Sequence, residues 1–101
     1  MKIYIIKEVQ YFIWSLEKPT IAKILWVIDL LEKFGNKLQM PHSKPIGKGL
    51  FELRIRGDKE IRIFYTFNDN QAVLLLGFIK KSRQIPKKEI SLAYQKIKDL
   101  T

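Results

Sequence analysis

The sequence predicts an α+β domain with a mostly antiparallel sheet of about four strands, in the order β-α-α-β-β-β-α. Two helical stretches precede three consecutive β-like runs between Leu50 and Lys81, and one amphipathic helix follows them. Phe51, Leu53 and Ile55 alternate with Glu52, Arg54 and Arg56, the period-two pattern of a strand with one buried face. Ile61, Ile63, Tyr65 and Phe67 do the same, leaving Glu60, Arg62, Phe64 and Thr66 on the other face. Sequential strands joined by tight turns are antiparallel, which sets the sheet type.

Taken in order, Lys2 to Ile6 is a β-branched and aromatic run suited to an edge or second strand. Lys7 and Glu8 cut that run short and no small-residue cleavage site follows, so it reads as structure and not as a signal peptide. Val9, Phe12, Ile13 and Leu16 fall at helical spacing and predict a first helix from about Glu8. Pro19-Thr20 is expected to end it, with Thr20 capping a second helix from about Ile21 to Phe34. Gly35-Asn36 is a helix stop. The two helices are expected to form a hairpin against one face of the sheet, with Trp14 and Trp26 as core or helix–helix contacts.

Residues 36–49, NKLQMPHSKPIGKG, hold two prolines, two glycines and three lysines and read as a loop. His42, Lys44 and Lys48 are its candidate binding residues. The single histidine fits a solvated loop position or a catalytic one. Gly57-Asp58 marks a hairpin and Asn68-Asp69-Asn70 a second turn. Ala72 to Ile79 is apolar enough for a central strand covered on both faces, and Gly77 within it marks a bulge or a close backbone approach. The strand runs out into Lys80, Lys81 and Arg83. Pro86 suits the first turn of a third helix, where Ile90, Ala93, Tyr94 and Ile97 form the apolar stripe and Lys87 and Lys88 stand at its start.

At 101 residues the chain is read as one domain. It has no cysteine, so disulfides and thiolate metal sites are excluded, and a cytoplasmic location fits. No apolar run approaches the roughly 18 residues of a membrane span, so no membrane partner is expected. No metal and no cofactor is expected, since one histidine with no carboxylate at ligand spacing does not make a metal site. The net charge is +9, and it is graded along the chain. Residues 80–98 hold seven Lys or Arg against one acid, whereas residues 1–41 hold six against four. A clustered basic surface favours a polyanionic partner such as nucleic acid, although solubility charge would read the same way.

If the two alternating apolar sets share a face, the Gly57–Lys59 loop places Arg54 directly opposite Arg62. Like charges so placed are destabilising by roughly 0.2–1 kcal/mol, an arrangement a polyanion-binding surface needs and a fold does not. Glu52, on the same face, is placed to hold either guanidinium. An exposed polar face carrying an ordinary salt bridge would show the same spacing.

The segments KPIGKGLFELRIRGDKEIRIFYTF and LLLGFIKKSRQIPKKEISLAYQKI, in this order, resemble the RelE/ParE toxin superfamily, and within it the HigB-like, phage-derived Gp49-type toxins of type II toxin–antitoxin modules. The resemblance spans nearly the whole chain. It implies a RelE-like fold and an mRNA interferase that cuts message in the ribosomal A site and inhibits translation. It also implies neutralisation by a cognate antitoxin, often a helix-turn-helix protein. By position, Arg54, Arg62, Lys80 and Lys81 match the family's basic residues. The chain departs from some relatives in having no tyrosine or histidine close after the last strand, and Tyr94 lies on the helix instead, which leaves the general acid unassigned.

A metal-free ribonuclease makes the substrate's own 2′-OH attack the adjacent phosphate, and so needs a proton acceptor, a proton donor and cations. Arg54, Lys81, Glu52 and Arg62 are the candidate catalytic residues, with Arg54 first and Glu52 as the candidate base. His42, Lys44, Lys48, Lys80, Arg83, Lys87 and Lys88 are the candidate RNA contacts. The alternatives are a ParE-like, non-enzymatic inhibitor of DNA gyrase on the same fold, and an RNA-binding homologue without activity.

Overall fold

The structure is a computed structural model and describes residues 1–100. Its elements are β1 (Lys2–Ile5), α1 (Lys7–Trp14), α2 (Lys18–Phe34), a 3-10 turn (Gly35–Lys37), β2 (Ser43–Gly47), β3 (Leu50–Ile55), β4 (Ile61–Asn68), β5 (Gln71–Ile79) and α3 (Lys87–Asp99). They form an α+β fold with one five-stranded mixed sheet in the order β1-β5-β4-β3-β2. Only β1 runs parallel to its neighbour, β5.

The fifth strand is β2, which comes from the segment read as a loop. It pairs antiparallel with β3 through Ser43↔Leu53, Lys44↔Glu52 and Pro45↔Phe51, and its register slips between Pro45 and Gly47. An edge strand needs only one ladder, so Pro45 is tolerated there, and the missing apolar alternation hid the strand from periodicity. Pro19 also differs from expectation: α2 begins at Lys18 and Pro19 lies in its first turn, with no side chain bonded at the cap. Proline fits that turn because its missing N–H has no intrahelical partner to lose. Trp14 and Trp26 are not core residues, being 67% and 56% exposed.

The β3–β4 register is the expected one, with Leu53↔Ile63, Ile55↔Ile61 and Arg54↔Arg62. Leu53, Ile55, Ile61, Ile63 and Tyr65 therefore share a face, and they pack with Val9 and Ile13 of α1 and Ile24, Val27, Ile28 and Leu31 of α2. The opposite face carries Leu50, Phe64, Val73 and Leu75 against Ala93 of α3. Both faces of β5 are thus covered. Between β4 and β5 the register shifts, with Phe64↔Leu76 but Tyr65↔Leu74, so Leu75 is the extra residue and joins Leu76 on the α3 side.

Gly77 marks a close approach. A Cβ there would lie 2.4 Å from Cδ2 of the Phe12 ring on α1. Gly77→Ala is expected to destabilise the fold by about 1–3 kcal/mol through overpacking, and Phe12→Leu to restore much of that loss in urea denaturation of the double variant.

Tyr65 is buried and shares a 2.5 Å hydrogen bond with the Ser43 hydroxyl, which ties β4 to β2. Burial pushes its phenol above the ordinary tyrosine range, and the Ser43 hydrogen bond works in the opposite direction. A pKa raised in the fold means stability that is present below the unfolded tyrosine value, near 10, and lost as pH rises through the folded one. Denaturation between pH 8 and 11 is expected to show Tyr65→Phe losing less stability than the parent, although it starts about 1–3 kcal/mol lower because the Ser43 hydroxyl is left without its partner.

Candidate functional site

Pairing across β2, β3, β4 and β5 brings the charged residues of the first three strands to one face. Lys44 lies opposite Glu52, Arg54 opposite Arg62, and Arg62 opposite Phe78. Residues two apart on a strand share a face, so Glu60 and Lys80 join the group. The Lys80 N–H donates to the Glu60 carbonyl at 2.7 Å and carries the β4–β5 ladder one pair further. The apolar residues under α3 occupy the other part of this face.

The two facing arginines are held apart by a carboxylate. Glu52 Oε1 is 3.6 Å from Arg54 Nε, and Glu52 Oε2 is 3.7 Å from Arg62 Nε. Arg62 also donates from Nη2 to Glu60 Oε1 at 3.2 Å and from Nη1 to the Ile61 carbonyl at 3.1 Å. Two guanidiniums and two carboxylates make the cluster formally neutral, which lets it sit where isolated charges would not. Glu52 and Arg62 are each 2% exposed. The facing pair does not form a bare cationic surface: Arg62 is an internal member of the cluster and Glu52 its counter-ion.

Arg54 differs from Arg62. Its side chain is 15% exposed, and among the described residues its only hydrogen-bond acceptor is the Met40 sulfur, 3.3 Å from Nη1. A thioether is a weak acceptor for a guanidinium. Arg54 Nε, Arg62 Nε and Glu52 Oε2 are all buried without a hydrogen bond, so charge alone holds them to one another. Arg54 is therefore oriented from behind by Glu52 while most of its donors stay unused.

His42 stands next to Arg54, whose N–H donates to the His42 carbonyl at 2.9 Å. The imidazole meets the Trp26 ring edge-on, with centroids 5.3 Å apart and planes at 86°. Trp26, His42 and Arg54 line one cleft with Lys23, Pro41, Ile55 and Arg56, of about 440 Å³. Strand pairing could not have flagged Lys23 or Trp26, which come from the exposed side of α2.

The remaining candidates divide by position. Lys44 is exposed on β2, and Lys81 and Arg83 are exposed just beyond β5, at the end of the sheet where Arg54 lies. Strand spacing puts Lys80 roughly 12 Å from Arg54 across β4. Lys87 and Lys88 are exposed in the first turn of α3. Lys48 is not part of this group. It sits in the β2–β3 turn with φ +50°, roughly 20 Å along β3 from Arg54. That turn is pinned by Tyr94 Oη donating to the Gly47 carbonyl at 2.7 Å and by Thr66 Oγ1 donating to the Gly49 carbonyl at 2.6 Å. Tyr94 therefore serves as a tie between α3 and the sheet.

No helix among the described residues is long and apolar enough to cross a membrane. No curated protein matches the chain. The model of the family described as phage derived protein Gp49-like (DUF891) matches residues 11–98, which takes in the second half of α1, every element from α2 to β5, nearly all of α3 and all the charged residues of the sheet face. The chain belongs to this Gp49-like family, a RelE/HigB-type toxin family, and is thereby a toxin of a toxin–antitoxin system with an antitoxin as its partner.

Proposed function

We propose that this toxin is a metal-independent mRNA endonuclease that cuts message on the ribosome, in the A site, and so inhibits translation in the cytoplasm. The observation that carries the reading is Arg54: a partly exposed guanidinium, fixed from behind by a buried carboxylate, with only a thioether in front of it. Such a group is prepared for phosphate oxygens before substrate arrives, so it needs no reorganisation as charge builds in the transition state.

In the proposed reaction the substrate's 2′-oxygen forms a bond to phosphorus and the bond to the 5′-oxygen breaks. The products are a 2′,3′-cyclic phosphate and a new 5′-OH. Arg54 holds the non-bridging oxygens. Glu52 is enclosed by the two arginines and acts as a positioning residue for Arg54, not as the base. His42, whose backbone carbonyl accepts the Arg54 backbone N–H, is assigned in this reading as the proton carrier that accepts the 2′-OH proton. Lys80 and Lys81 supply positive charge on the leaving-group side, Lys81 as the exposed donor, with Arg83, Lys87, Lys88 and Lys44 along the path of the strand. An antitoxin of the helix-turn-helix type would neutralise the toxin by covering this basic end.

The test is induction of the chain in a bacterial host, with mapping of mRNA 5′ ends with and without ongoing translation. Cuts within reading frames that disappear when translation is blocked are the expected result. Growth arrest with intact message would overturn the proposal in favour of gyrase inhibition.

A further inference from the structure

We infer that the cleft between α2 and the end of β3 receives an unstacked nucleobase of single-stranded RNA, held against the Trp26 ring. This rests on the endonuclease reading and adds to it a place for the base beside the cut. The volume of about 440 Å³ falls within the usual range for small-ligand sites, which suits a single nucleotide. Trp26, Pro41 and Ile55 supply apolar walls. Trp26 is a cleft-lining residue yet 56% exposed, beside its T-shaped contact with His42.

The polar part of the lining carries one sign of charge only. Lys23, Arg54 and Arg56 line the cleft and no carboxylate does among the described residues. Lys23 Nζ donates a 3.4 Å hydrogen bond to the Arg56 backbone carbonyl, which places the Lys23 ammonium on one rim beside the start of the exposed Arg56 side chain. An aromatic face beside cations is the combination that single-stranded nucleic acid uses, with bases on the ring and phosphates on the charges. Arg54 is among the residues that line the cleft, and its guanidinium pairs with Glu52 on the other face of β3, so a base seated on Trp26 lies beside the end of the strand that carries the arginine of the proposed reaction.

The experiment uses Trp14→Phe as background, so that intrinsic fluorescence reports Trp26 alone, and titrates it with a short unstructured oligoribonucleotide. Saturable quenching is expected. By competition with a labelled oligoribonucleotide, Trp26→Ala is expected to weaken binding roughly 5- to 150-fold, the range for loss of one base–aromatic stack. Trp26→Phe keeps most of the affinity, and Arg56→Gln lowers the slope of log affinity against log salt by about one. Both side chains are exposed, and thermal melting verifies that the variants fold. Unquenched Trp26, or an alanine variant that binds like the parent, overturns the inference. If Arg54-dependent cuts in translated mRNA persist alongside that result, the endonuclease reading stands without it. If the cuts are absent too, both fall. Quenching by an acidic peptide but not by RNA reassigns the cleft to a protein partner and overturns the inference as well.

Discussion

Replacing Arg54 by alanine is expected to lower mRNA cleavage roughly 10²–10³-fold, the loss seen when one prearranged charge-stabilising donor is removed from such a site, while the protein stays folded. Its side chain packs in neither apolar core, and Glu52 keeps Arg62 as its counter-ion at 3.7 Å. Single-turnover cleavage of ribosome-bound message measures the loss, and circular dichroism with urea denaturation verifies the fold. Arg54→Lys is expected to recover little, because an ammonium does not reproduce the planar fork that spans two phosphate oxygens. Full growth arrest by the alanine variant would exclude Arg54 from the chemistry.

Glu52→Ala is expected to act on stability first, costing about 3–5 kcal/mol, since it strands Arg54 and Arg62 opposite one another in a largely buried site with Glu60 as the remaining carboxylate. Against a typical total of about 5–15 kcal/mol this is a large share of the fold's stability. The double variant Glu52→Ala/Arg62→Met is expected to be more stable than Glu52→Ala alone, because it removes the stranded charge along with its partner. Urea denaturation of the three proteins tests this. A fully stable, inactive Glu52→Ala protein would instead make Glu52 a proton-transfer residue and not the holder of Arg54.

Residues whose surroundings lie within a few positions were readable in the sequence. The β3–β4 register is one such case: alternation and loop length act over about fifteen residues, and together they placed Arg54 opposite Arg62. The stripe of Ile90, Ala93, Tyr94 and Ile97 is another, since helical spacing alone selects the side that packs on the sheet. Strand β2 was not legible because Pro45 and Gly47 break its pattern, and only pairing to β3 makes an extended edge strand of it. The exposure of Trp26 is not legible in the sequence, because hydrophobicity does not say whether a partner is present. The second helix has more apolar residues than its buried face needs, and of those left exposed Trp26 lines the cleft.

By itself the sequence determined the α+β order, the covered central strand, the facing arginines and the family resemblance, because each depends on local period or residue order. Which arginine is the more exposed was decided only by tertiary structure. Arg54 and Arg62 carry the same charge on the same face, and Glu52 is equally close to both. Glu60 and the Ile61 carbonyl complete the partners of Arg62, whereas Arg54 faces the open end of β3 with a thioether in front of it. Burial and partner count are properties of packing, and they convert two like residues into one enclosed by its partners and one that stays partly exposed.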